Sequence, residues 1–174
     1  IAVAVCLVII FITGLVSLGV KTNNGEYIVK EITLSPYGSD LAASMYIPKS
    51  ALETDEKGNF IKKVPAVIVN AGFTNSRTFL DNVAIELVKC GFAVIHIDMY
   101  GHGFSESTDI RGYGNNPNSF ESDTTLCGAA DALSYLRTLG FIDQTQIGMC
   151  GHSLGGSASG RMAEKSAGFY TLQD

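Results

Sequence analysis

Three short apolar runs constrain this chain more than anything else in it. VPAVIVNAG (64–72), FAVIHIDMY (92–100) and IGMCG (147–151) lack the alternation of polar and apolar residues that a half-solvated strand shows. Runs of this kind are read as strands buried on both faces, the situation in a parallel sheet with helices on either side. The segments between them agree. RTFLDNVAIELVKCG (77–91) places Phe79, Val83, Leu87 and Val88 at helical spacing, and Gly91 is positioned to end that helix. A second helix is expected from an Asp123 cap to Leu139, with Leu126, Ala130 and Leu133 on one face, and LGGSASGRMAEK (154–165) begins a third. Strands alternating with such helices imply a parallel sheet with right-handed crossovers. YIVKEITL (27–34) and LAASMYIPK (41–49), joined by Ser35-Pro36-Tyr37-Gly38, look like two antiparallel strands in front of it. SALETDEKGNFIKK (50–63), centred on Gly58, is an exposed connection. The expected fold class is α/β, a mostly parallel sheet with flanking helices.

Residues 1–20, IAVAVCLVIIFITGLVSLGV, carry no charge, and Lys21 ends the run. As a helix they rise about 30 Å, one hydrocarbon core, so an N-terminal transmembrane anchor is expected. KTNNGE (21–26) then reads as a linker and 27–174 as the folded domain. A signal-peptide apolar region spans only about 7–15 residues, yet Ser17-Leu18-Gly19 is a small-x-small triplet, so a cleaved signal stays open. A buried core helix stays open too, although it would normally show a polar face. The first residue is Ile1, with neither a methionine nor a basic flank, so residues upstream are expected. A single N-terminal anchor most simply leaves the domain outside the cytoplasm.

Other classes are disfavoured. A net charge of −5 with no cluster of Lys and Arg argues against nucleic acid as a partner. Cys6, Cys90, Cys127 and Cys150 have no metal-type spacing and imply no disulfide framework. GHGFSE (101–106) lacks the third glycine of a dinucleotide-binding loop, and no P-loop is present. No cofactor and no metal is expected.

The chemistry concentrates at Gly151-His152-Ser153-Leu154-Gly155, a G-x-S-x-G between an expected strand and an expected helix. Such a turn holds its serine in a strained conformation and crowds the positions two before and two after it. Glycine at both, Gly151 and Gly155, removes side chains that would clash. The Ser153 hydroxyl is then raised above the sheet, beside the Leu154 N–H at a helix N-terminus. A glycine-rich turn that merely packs closely is the alternative.

With this elbow the chain resembles the α/β-hydrolases, and two further segments carry the likeness: NAGFTNS (70–76) and DMYGHGFS (98–105). The resemblance implies that the Phe73 N–H is the second oxyanion donor, working with the Leu154 N–H, although Ala71 stands where the family often has a histidine. In DMYGHGFS, Asp98 and the glycines are expected to shape a turn and do no chemistry. The likeness runs from about residue 26 to the end and covers the front part of the family's fold.

A serine nucleophile needs a base, and there are three histidines. His152 adjoins Ser153 and points to the other side. His96 lies within a buried strand, where a satisfied core histidine is expected. His102 sits on a loop at the sheet's carboxyl edge. In the family's strand order its strand is two places from the elbow strand, about 10 Å away against the roughly 3 Å that proton transfer needs; only a curling loop would close that gap. For the acid, Glu164 falls inside a helix and Asp174 is terminal. The expectation is therefore an α/β-hydrolase domain cut short before its acid and base.

The expected activity is a membrane-anchored serine hydrolase that cleaves a small-molecule or peptide acyl substrate (ester, thioester or peptide) through an acyl-enzyme on Ser153. A short non-catalytic relative acting as a binding module remains open, as does an acyltransferase using the same serine. The loop FSESTDIRGYGNNPNSFESD (104–123) sets Glu106, Asp109, Glu121 and Asp123 against Arg111. It reads as an ordinary solvated loop before an acidic substrate rim.

Overall fold

The computed structural model describes residues 2–36, 39–106 and 127–171. Helix α1 (Ala2–Thr22) leads into β1 (Tyr27–Leu34) and β2 (Leu41–Pro48), then β3 (Val64–Asn70), α2 (Asp81–Lys89), β4 (Ala93–Ile97), α3 (Ala129–Thr138), β5 (Ile142–Gly151) and α4 (Leu154–Thr171). Five strands form one mixed sheet in the order β1-β2-β4-β3-β5. β1 and β2 pair antiparallel, β2 joins β4 antiparallel, and β3 lies parallel between β4 and β5. The antiparallel pair in front of a parallel set is the arrangement the sequence implies.

Two apolar layers hold the helices to the sheet. On one face Ala66, Ile68, Ile95, Ile97 and Met45 pack with Ala130, Leu133 and Leu136 of α3 and Met162 of α4. On the other, Val67, Val69 and Val94 pack with Ala84 and Val88 of α2. Alternate residues of one strand thus serve both faces, which is why β3 and β4 read as continuous apolar runs. Each fully buried leucine or isoleucine contributes roughly 1.5–3 kcal/mol of transfer free energy.

β5 departs from expectation. It starts five residues earlier than IGMCG, at Ile142, and most of it is half-exposed or exposed. Among the described residues it pairs with β3 alone and forms the edge of the sheet. A run of small residues, Gly148, Cys150 and Gly151, looks buried in sequence whether or not anything covers it. The expected 77–91 helix is in two parts: a tight 3-10 turn over Arg77–Leu80 precedes α2. The Asp123 cap and Leu126 lie outside the described residues, and α3 begins at Ala129 behind Gly128. The 50–63 connection is mostly exposed, but Ala51 is buried and Phe60 sets its ring edge against Phe141.

α1 continues through Thr22 and then meets the sheet by a tight turn. Asn24 N–H donates to Gly19 O at 2.8 Å, Gly25 N–H to Thr22 O at 2.9 Å and Lys49 N–H to Glu26 O at 3.0 Å. Large apolar side chains of α1, from Val3 to Val20, are more than half exposed. Among the described residues no helix is long and apolar enough to cross a membrane.

His96 of β4 is buried as expected but is not hydrogen-bonded. Both ring nitrogens lack a partner among the described residues, and the nearest carboxylate oxygen, Asp81 Oδ1, is 3.5 Å away. The Tyr46 hydroxyl already donates to that oxygen. Burial pushes the His96 pKa down from 6.5 to about 4, against the attraction of Asp81 and Asp98 and with the Arg77 cation adding to the depression. Between those two values an unfolded chain takes up a proton that the folded one refuses. Stability is therefore complete above pH 6.5 and is lost as pH falls toward 4, by about 3 kcal/mol from this group. Urea unfolding at pH 7 and 4.5 should show the loss, and His96→Leu should make the curve distinctly flatter. An equal pH slope in the two proteins would refute it.

Candidate active site

The site follows from chain path. From the carboxyl end of β3 the chain turns one way to β4, then crosses back over β3 to β5. The loops after β3 and β5 consequently lie side by side, at the switch point where open α/β sheets bind ligands.

The turn after β5 is strained. Ser153 has φ 53°, a left-handed conformation that a non-glycine residue adopts only under constraint. The constraint is steric. A Cβ placed on Gly151 would lie 2.5 Å from the carbonyl carbon of Gly155 and 2.7 Å from Asn70 O. One placed on Gly155 would collide with the carbonyl oxygens of Ala71 and Asn70. Strand β5, helix α4 and the end of β3 therefore meet at backbone distance, and Ser153 caps the junction. Gly155 N–H donates to His152 O at 2.9 Å, Ser157 N–H to Ser153 O at 3.0 Å and His152 N–H to Asn70 O at 3.2 Å. Ser153 is exposed, and among the described residues nothing hydrogen-bonds its hydroxyl.

The loop after β3 runs against this turn. A Cβ on Gly72 would sit 3.3 Å from Ser153 Cβ and 2.9 Å from His152 Nδ1. Gly72 was not singled out in the sequence, where it is one of many glycines. The next residue is Phe73; Asn75 N–H donates back to Gly72 O at 3.1 Å, and Thr74 between them has φ 62°. Leu154 is the first residue of α4. Among the described residues no backbone carbonyl accepts from the Phe73 or the Leu154 N–H. Phe73 directly follows Gly72, which meets the serine, and Leu154 directly follows the serine itself.

The histidines divide as geometry dictates. His152 packs its ring against Phe79, with centroids 5.3 Å apart. His102 sets its ring edge against Phe73 at 5.4 Å, and its Nδ1 donates to Tyr100 O at 2.9 Å. Strand β4, which leads to it, is separated from β5 by β3. Glu164 is exposed on α4, and Asp174 lies outside the described residues. Around the mouth stand three exposed rings, Phe73 (64%), Phe79 (53%) and Phe104 (79%). Of the loop 104–123, residues 107–123 lie outside the described residues, among them Asp109, Arg111, Glu121 and Asp123.

Asp98 is fully buried at the end of β4. It accepts from the Arg77 N–H (2.5 Å), the Arg77 guanidinium and the Phe104 N–H (3.0 Å), and its own carbonyl accepts from Ser105 Oγ (2.6 Å). Asp98 thus shapes the turn, as its motif implies. It also holds Arg77, which the sequence left unmarked because a lone arginine after a polar loop carries no pattern. Asn70 Nδ2 reaches Ser159 Oγ at 3.3 Å beneath the elbow and ties β3 to α4.

A family model described as serine aminopeptidase, S33 matches residues 62–171. No curated protein matches. Solved structures share the fold. Acetyl xylan esterase 1 from Thermoanaerobacterium sp. superposes with a TM-score of 0.60 at 22% identity, covering 80% of this chain and 44% of its own. A dienelactone hydrolase-like promiscuous phosphotriesterase from metagenomic libraries gives 0.59 at 17% identity, covering 82% of this chain and 56% of its own. Est1E from Butyrivibrio proteoclasticus, with ferulic acid bound, gives 0.54 at 23% identity over 78% and 48%. The chain thus spans about half the length of the structures it resembles.

Proposed function

We propose that this chain, which belongs to the serine aminopeptidase S33 family of α/β-hydrolases, is the nucleophile-bearing part of a membrane-tethered serine esterase. The observation that carries this reading is the left-handed Ser153, exposed on a turn that only glycine at 151 and 155 permits. Its hydroxyl attacks an ester carbonyl, the Phe73 and Leu154 N–H groups receive the developing oxyanion, and an acyl-enzyme forms on Ser153 and is then hydrolysed. Among the described residues no histidine hydrogen-bonds the Ser153 hydroxyl, and β3 stands between the strand that leads to His102 and the elbow strand.

An ester is favoured over a peptide bond by the acetyl xylan esterase among the similar structures. The three rings at the mouth favour an uncharged acyl group, small or aromatic, over a charged one. Helix α1, whose residues 2–20 carry no charge, is the tether. It joins the sheet at Tyr27, opposite Pro48, the end remote from Asn70 and Gly151. Along β3 that separation is about 20 Å, so the mouth faces away from the bilayer and takes substrate from water.

A fluorescent phosphonate tests both parts in the full-length protein inserted in vesicles. It should label Ser153, and headgroup spin-labelled lipid should quench the attached dye only weakly. Absence of labelling would refute the serine esterase. Labelling with strong quenching would refute the orientation.

A further inference from the structure

We infer that Arg77 is a positioning residue for catalysis, one that sets the Phe73 N–H by clamping the loop after β3 to Asp98. The inference rests on the serine esterase reading above and adds to it a residue that never touches substrate.

Every nitrogen of the Arg77 side chain is committed. Nε donates to Ser44 Oγ at 2.8 Å, Nη1 to Asp98 Oδ2, and Nη2 to Glu31 Oε2 at 2.6 Å. Its backbone N–H takes the other oxygen of Asp98. The guanidinium thereby joins β1, β2 and the end of β4, three strands whose relative positions the sheet already fixes. Asp98 is fully buried and the Arg77 side chain is 12% exposed, so the pair works in a low-dielectric setting where geometry is held stiffly.

What it holds is the oxyanion loop. That loop leaves β3 at Asn70, touches the elbow at Gly72, turns back through the Gly72–Asn75 hydrogen bond, and four residues after Phe73 reaches Arg77. One end is fixed by the sheet and the other by Asp98; between them, among the described residues, the Gly72–Asn75 turn and the edge of the His102 ring are what Phe73 meets, and its own ring is 64% exposed. The same carboxylate accepts from the Phe104 N–H, and Gly103 has room for no Cβ beside it. Arg77 Cζ lies 5.5 Å from the centroid of the Phe104 ring. One buried charge pair therefore aligns the donor loop with the 101–106 loop, whose His102 rests on Phe73.

A donor displaced by about 1 Å loses much of its value, on the order of a hundredfold in rate. Arg77→Lys retains the backbone N–H and the positive charge but cannot bridge Ser44, Asp98 and Glu31 together. In the full-length protein, kcat for an aryl ester should fall about 10- to 100-fold with KM little changed, the active enzyme being counted by phosphonate titration. A purely structural role would slow all substrates alike, so the deciding measurement pairs the ester with its thionoester, whose larger, weaker acceptor gains little from the hole. The ester-to-thionoester rate ratio should shrink at least about tenfold in Arg77→Lys. Lys89→Gln, which breaks the exposed Lys89–Glu86 pair outside this network, should change neither rate by more than about twofold. An unchanged ratio in Arg77→Lys overturns the inference while leaving the esterase intact; a wild-type protein that neither labels nor turns over ester overturns both.

Discussion

Ser153→Ala should reduce ester turnover by about 10⁴- to 10⁶-fold, to the level left by binding and the amide donors alone. The size follows from the chemistry. Without Oγ no acyl-enzyme can form, and a water held in its place lacks both the geometry and the covalent step. Little stability should be lost, because the hydroxyl is exposed and has no partner among the described residues. Removing Oγ while keeping Cβ leaves the φ 53° strain in place, so the melting temperature should move by no more than a few degrees. Initial rates on an aryl ester, with circular dichroism melts of both proteins, check this. A variant that keeps even a tenth of the wild-type rate would remove Ser153 from the mechanism.

Gly155→Ala should be the most damaging single methyl group in the domain. Its Cβ would lie 2.7 Å from the Asn70 carbonyl carbon and would overlap the carbonyl oxygens of Asn70 and Ala71. Those atoms are backbone, at the fully buried end of a central strand, and cannot swing aside. Overpacking of this kind costs about 3 kcal/mol or more, equivalent to a fall of about 10 °C in a domain of this size. Relief requires β3 and α4 to part, and that would carry Gly72 and Phe73 away from Ser153. Activity should fall further than stability explains. Gly160→Ala on the same helix gives the contrast: nothing lies within 4 Å of its Cβ position, and alanine there should stabilise by about 0.5–1 kcal/mol. Thermal melts that rank the two variants equally would contradict the packing account.

Much of this was legible in the residues. Apolar runs without alternation identify strands that serve two layers, and β3 and β4 do so through Val67, Val69 and Val94 on one side and Ile68, Ile95 and Ile97 on the other. The same criterion failed for β5, because small residues look buried whether or not a neighbour covers them. G-x-S-x-G was readable because its glycines answer a local steric demand within five residues. Arg77 and Gly72 were not, since each acquires its meaning from a partner that only folding brings near: Asp98, 21 residues on, and Ser153, 81 residues on.

The amino-acid order alone determined the α/β class, the antiparallel pair in front of the parallel strands and the strained serine, because these depend on side-chain period and on contacts inside one turn. The tertiary structure decided the rest. Where β3 and β5 bring their loops together, and how the Arg77 guanidinium ties the loop after β3 to Asp98, both depend on crossovers that join residues far apart in sequence. Local spacing cannot encode such distances; only the assembled sheet does.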